Sequence, residues 1–178
     1  IAMVLVAAIA SGVLITTAGQ LQSQASETGE ETTSQVSDIL RITDIIGTAN
    51  KSGGTTEIET IKLKTRLASG ADAVDMNGTS YTIATKGDTN AATVLSGNES
   101  TTGLSYNQSQ GLADGETVLS DGDQVIIVEI TLTEINEINT LAAGDSVSIS
   151  VEAPAGGRTI TEKRAPGRLE DGSSYVLS

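Results

Sequence analysis

Among its 178 residues the chain has no cysteine and no histidine. Without thiols there is neither a disulfide framework nor a thiolate metal site, and the redox compartment leaves no mark on the sequence. Without imidazole the usual general base and the commonest metal ligand are missing. Tryptophan and phenylalanine are absent as well, which leaves Tyr81, Tyr106 and Tyr175 as the aromatic side chains. That is too little to build a base-stacking surface. Cations are scarce: 10 Lys+Arg stand against 23 Asp+Glu, a formal net charge of −13. Such a balance repels nucleic acid and anionic membrane surfaces alike. The carboxylates run thinly from Glu27 to Asp171 and form no single acidic patch. That pattern suits a surface solvated in high salt, where screening shortens to about 3 Å at 1 M. The reading is therefore a halophilic protein.

Enzyme signatures are missing too. The sequence contains no G-x-S-x-G, no phosphate-cradling glycine loop and no histidine-based triad. The carboxylate pair Asp121 and Asp123 in "SDGDQ" offers oxygen ligands of the kind that suit Ca²⁺, Mg²⁺ or Na⁺. Asp-Gly-Asp is nevertheless an ordinary turn, and no EF-hand loop surrounds it. No metal site, no catalytic residue and no cofactor are expected, and bound cations have no supporting motif.

What the chain does have is an apolar opening. "IAMVLVAAIASGVLI" is hydrophobic on every side of a helix, and no ionisable side chain occurs before Glu27. A helix of that length would measure about 39 Å against a bilayer core of about 30 Å, yet only the first fifteen residues are strongly apolar. Three environments are open to it: a core of its own, lipid, or identical helices of other copies. A private core needs a partner layer, and the rest of the chain reads as strands with inner faces of their own. A permanent anchor lacks its basic flank, since no Lys or Arg precedes Arg41. Burying the branched aliphatic side chains among sister helices would contribute on the order of 10 to 20 kcal/mol gross, set against ordering and association costs. Such a burial would drive polymerisation.

Val36, Ile39, Leu40, Thr43 and Ile46 recur at helical spacings, so the helix is expected to run on to about Ile46. Gly12, Gly19 and Gly29 weaken it by about 1 kcal/mol each and permit close neighbours. "GTANKSGGTT" then reads as helix stop and linker. The predicted domains are an N-terminal polymerisation helix over 1–47, a linker over 48–56, and an outer domain over 57–178. Beyond the linker the period becomes two. "IKLKTRL" alternates Ile61, Leu63, Thr65 and Leu67 with Lys62, Lys64 and Arg66. "SYTIAT", "QVIIVEITLT", "SVSISVEAP", "RTITEK" and "SYVLS" follow as strands, separated by turns such as "NGT", "SDGD" and "PAGG". The fold class is therefore α+β, a long helix followed by an antiparallel β-sandwich. Asp88 to Thr117, rich in Ser, Thr, Asn and Gly, reads mostly as loop.

Four of the seven asparagines, Asn50, Asn77, Asn98 and Asn107, lie in Asn-x-Ser/Thr sequons. They are the candidate sites for N-linked glycans, competing with plain loop chemistry in a Ser/Thr-rich chain.

The opening "IAMVLVAAIASGVLITTAGQLQSQASETGEETTSQVSDIL" resembles the N-terminal region of archaeal flagellins, the archaellins. The likeness continues more weakly through "GTTEIETIKLKTRLASGADAVDM" and the closing "EAPAGGRTITEKRAPGRLEDGSSYVLS". The resemblance implies a type IV pilin-like helix carrying an immunoglobulin-like β-sandwich. It implies a subunit held in the membrane, cut by a prepilin-type peptidase, and assembled with itself and with other archaellins into an extracellular swimming filament. It further implies a membrane-embedded motor that turns the filament, and glycans on the outer domain, at Asn77, Asn98 and Asn107 before Asn50. Asn50 lies close to the joint of helix and sandwich and is expected to be blocked. The residues expected to carry polymerisation are Ile1, Val4, Leu5, Val6, Ile9, Val13, Leu14, Ile15 and Leu21. Family members usually bear several more apolar residues before "IAMVLVAA", so the mature chain is expected to begin earlier. An adhesive type IV-like pilin and a membrane-anchored surface binding domain are the alternatives within the same architecture.

Overall fold

The structure, a computed structural model, describes residues 20–22, 24–25, 40–87, 89–98 and 100–178. The chain divides after Ser34 into two compact units. Of the first unit the described residues are five helical ones, and Leu21 among them is 62% exposed.

The second unit is built of β-strands. In chain order they are β1 (Leu40–Ser52), β2 (Thr55–Leu67), β3 (Val74–Asp75), β4 (Ser80–Lys86), β5 (Ala91–Ser96) and β6 (Leu104–Gln110). There follow β7 (Val118–Leu119), β8 (Val125–Thr131), β9 (Ser146–Glu152), β10 (Arg158–Arg164) and β11 (Ser174–Val176). A five-stranded sheet has the order β11-β1-β2-β8-β6, a four-stranded sheet the order β10-β9-β4-β5, and β3 pairs with β7. Every pairing is antiparallel.

Strict alternation explains the inner faces. Ile61, Leu63, Thr65 and Leu67 of β2 are buried, as are Ile126, Val128 and Ile130 of β8, while Lys62, Lys64 and Arg66 turn away. From the other sheet Tyr81 and Ile83 of β4 and Val147, Ile149 and Val151 of β9 complete one hydrophobic core. Each fully buried aliphatic side chain contributes about 1.5 to 3 kcal/mol. Between the sheets, Thr159 Oγ1 donates to Leu40 O at 2.5 Å, and Arg164 N–H donates to Ser178 O at 2.9 Å. One side of the sandwich is thereby stitched shut.

Two expectations need correction. Residues 40–47, assigned to the helix, form the first half of β1, and 48–56, assigned to the linker, complete β1 and turn into β2. The register slips between Ile42 and Asp44, so inward Leu40, Ile42 and Ile45 are spaced two and then three apart. The described residues read at helical spacing share no face: Leu40 is buried, Thr43 exposed, and Ile46 half-buried beside outward Lys62. Four β-branched residues in "RITDII" tip the balance to strand. The supposed linker glycines are the hairpin turn: Gly53 and Gly54 have φ of 61° and 102°, as a two-residue turn between twisted strands requires. The second correction concerns 88–117, where β5 and β6 stand in place of loop.

Candidate functional site

No catalytic constellation emerges from the described residues, and among them no group of three acidic, His or Cys side chains is placed to hold a metal ion. Asp121 Oδ1 accepts from Asp123 N–H at 3.2 Å, and Gln124 Oε1 accepts from the backbone N–H of Ser120 and Asp121. Both aspartates are exposed, so "SDGDQ" is a self-satisfied turn. The candidate sites are surfaces and modification points.

Ile1, Val4, Leu5, Val6, Ile9, Val13, Leu14 and Ile15 lie outside the described residues. Leu21 is described, helical and largely exposed. Among the described residues no helix is long and apolar enough to cross a membrane.

The four sequons fall in four different settings. Asn98 sits exposed on the loop between β5 and β6, where its Oδ1 accepts from both the N–H and the hydroxyl of Ser100 at 3.0 and 2.9 Å. Its Nδ2, the atom that a glycan would occupy, has no partner among the described residues. Asn107 is exposed on the outer side of β6, with Nδ2 3.4 Å from Glu129 Oε2. Asn50 is half-buried in β1 and donates to Glu59 Oε2 at 3.2 Å. Asn77 is the most confined. Its Nδ2 donates to Thr117 Oγ1 at 2.9 Å, its Oδ1 is buried without a partner among the described residues, and the sequon hydroxyl of buried Thr79 is spent on Asp75 O.

The β5–β6 side is held by one aromatic clamp that the sequence did not announce. Tyr106 Oη lies 2.6 Å from Gly97 O and 2.8 Å from Met76 O, so its single proton ties the loop after β5 to the turn after β3. Gly97 must be glycine: a Cβ there would fall 2.2 Å from Met76 O and 2.5 Å from Thr79 O. Beneath the clamp Tyr81 is completely buried, and burial first, then the neighbouring Tyr106, pushes its phenol well above the ordinary value.

Cations gather on the outer face of the five-stranded sheet. Lys62, Lys64 and Arg66 are successive outward residues of β2, and Arg41 on β1 stands directly opposite Arg66 in the ladder. Lys62 pairs with Glu129 at 3.2 Å. Among the described residues Arg41, Lys64 and Arg66 have no ion pair. Half-buried Ile46 and Ile127 flank the stripe, and Val176, in register with Ile46, is 66% exposed. The alternation of "IKLKTRL" marked this face as wet; the strand order adds that Arg41 opposes Arg66 and that Asp44, opposite Lys64, makes no ion pair with it. Elsewhere Lys86, Asp145, Glu162, Arg164 and Ser178 line an open cleft of 580 Å³, in which Lys86 pairs with Glu162 at 3.1 Å.

Residues 1–163 match the family model described as archaeal-type flagellin. Flagellin B2 of Halobacterium salinarum is 36% identical over 177 residues, covering 99% of this chain and 89% of that protein. Flagellin B1 of Natrialba magadii is 38% identical over 185 residues, covering 99% and 90%. Among solved structures, the archaeal flagellum of Methanospirillum hungatei strain JF1 shares the fold with a TM-score of 0.70 at 18% identity, covering 99% of this chain and 93% of its own. Flagellin FlaB1 of Methanocaldococcus jannaschii gives a TM-score of 0.62 at 14% identity, covering 79% and 96%.

Proposed function

The chain belongs to the archaeal-type flagellins, which makes it a structural subunit of the extracellular archaellum filament used for swimming and not an enzyme, and from that premise we propose how its parts divide the work. The apolar opening is a type IV pilin-like helix through which copies polymerise, with Ile1, Val4, Leu5, Val6, Ile9, Val13, Leu14, Ile15 and Leu21 buried against sister helices. The sandwich, immunoglobulin-like in character, forms the outer wall. One observation carries this reading. A run of 26 residues without an ionisable side chain precedes a sandwich whose two inner faces already cover one another. Only other copies, or lipid before assembly, then offer that run an apolar solvent.

The same reading supplies partners. A prepilin-type peptidase frees the subunit from the membrane, other archaellins co-assemble with it, and a membrane-embedded motor turns the product. The haloarchaeal relatives and the charge of −13 fit a surface adapted to high salt. N-linked glycans belong on Asn98 first, because a sugar needs an exposed Nδ2 that is not engaged; Asn107 is exposed but its amide donates to Glu129. Asn50 and Asn77, whose amides are engaged and half-buried, come last. Intact-mass analysis of sheared filaments with peptide mapping checks the order, and modification confined to Asn77 would refute it.

The decisive variant is Val6→Asp. A carboxylate in the middle of the helix bundle faces a desolvation cost that the assembly cannot offset. Shearing cells that express the parent chain is expected to release a polymer, and the variant none. Intact filaments from the variant would sink the assignment of residues 1–26.

A further inference from the structure

The distribution of charge along the sequence, once placed on the sheets, points to a contact between outer domains. All ten cations lie in 41–86 and 158–168; between Gly87 and Gly157 there is none, while eleven carboxylates occur there. The cations on β1 and β2 are concentrated on one outward face of a central strand, and three of them, Arg41, Lys64 and Arg66, make no ion pair among the described residues. Asp44 stands opposite Lys64 in the register without pairing to it. Arg41 and Arg66, directly opposed on the same face, repel one another, which costs stability in an isolated domain. Around these charges the face is partly apolar, through Ile46, Ile127 and exposed Val176.

A like-charge pair beside greasy neighbours is the composition of a surface waiting for a carboxylate-bearing cover. Resting on the filament reading above, we propose that the stripe Arg41, Lys64 and Arg66 docks against the cation-free segment 87–157 of a second copy in the polymer. Charge complementarity selects that occupant. Every copy carries the stripe and every copy carries the acidic segment, so a heterologous contact repeats along a helical assembly without further parts. Arginine forks and carboxylates form close charge-assisted pairs that survive the short screening length of concentrated salt better than distant charges do. The contact also relieves part of the self-repulsion that a repeating unit of −13 would otherwise build up.

Zero-length cross-linking tests it. Sheared filaments of the full chain are treated in their growth salt with a water-soluble carbodiimide, which joins a lysine amine as an amide to a carboxylate it touches. Only five lysines are present, and Lys62 and Lys86 already have partners within the chain. The expected product is a covalent dimer on a denaturing gel, with Lys64 linked to a carboxylate between residues 87 and 157. Lys64→Arg, which keeps the charge and removes the amine, should leave the filament intact and lose that link. Lys64→Glu combined with Arg66→Glu should lose the pelletable polymer while circular dichroism still reports a folded sandwich. Links from Lys64 that stay within one chain, or that reach carboxylates outside the segment, would overturn the proposal, as would double-variant filaments that shear and survive like the parent. A parent strain that sheds no polymer at all would overturn the filament reading itself, before any cross-linker is added.

Discussion

Strand β2 and the pair β5–β6 are made of contrasting material within one sandwich. β2 has a partner on each side and alternates Ile, Leu and Thr inward with Lys and Arg outward. β5 and β6 each have one partner, carry mostly small or uncharged polar residues, and close the opposite edge. The first is held by area removed from water, a force that needs no particular atom. The second, which puts only Leu95 and Leu104 of its strands into the buried core, is fastened in addition by one phenol and one missing Cβ. Burial tolerates many sequences, whereas an edge fixed by Tyr106 and Gly97 depends on two residues that no alternation predicts.

Substitutions at the clamp should break this contrast hardest. Gly97→Ala puts a methyl group inside the contact distance of two backbone carbonyls that cannot retreat without unpairing the turn. A loss of about 3 kcal/mol is expected, at the upper end of overpacking costs. Urea unfolding of the full chain at fixed salt measures it, and a shift under half of that would mean the turn yields easily. Tyr106→Phe is milder. It keeps the ring and removes the proton shared by Gly97 O and Met76 O, so about 1.5 kcal/mol is expected. Hydrogen exchange should report the loss first at β5 and β6 and last at β2. Uniform loosening would refute the idea that the clamp acts locally.

The same contrast decides what could be read from residues alone. β2, β4, β8 and β9 were visible as period-two runs, because their inner faces are regular and apolar, whereas β10 and β11 were visible only as short strands between turns, since Ile160 and Val176 face outward. β1 was not, since its bulge at Ile42 and Asp44 replaces a spacing of two by three. β5 and β6 were not, since Ser, Thr and Asn are as common in loops as in edge strands and the deciding partners are distant in sequence. At the candidate sites, the sequons were plain as motifs. The sequence ranks Asn77 with Asn98 and Asn107, and moving it down required knowing that the Asn77 amide is tied to Thr117 while that of Asn98 is free among the described residues. The stripe of β2 was visible as a wet face, but the opposition of Arg41 to Arg66 is a property of strand register.

The inner face of β2 offers a correction of opposite sign. Thr65 is fully buried and its hydroxyl has no hydrogen-bond partner among the described residues, an imperfection in an otherwise apolar row. Valine has nearly the same shape without the polar atom. Thr65→Val should therefore stabilise the sandwich by about 1 kcal/mol, the low end of what an orphaned buried hydroxyl costs. A destabilised variant would mean that the hydroxyl finds a partner in solution.

The smallest effect expected lies on the outer face of the same strand, and its sign matters more than its size. Arg66 and Arg41 oppose one another across the β1–β2 ladder. Arg66→Glu replaces repulsion by a cross-strand pair, so the sandwich should gain about 0.5 kcal/mol, and less at high salt where the pair is screened. A residue retained only for the fold would not be improved by reversing its charge. If thermal melting of the full chain in low salt shows the gain while the sheared filament of the same variant becomes easier to dissociate, then stability within the subunit and cohesion between subunits pull that position in opposite directions. A variant that loses both together would place Arg66 among the structural residues of β2 and remove the contrast between its faces.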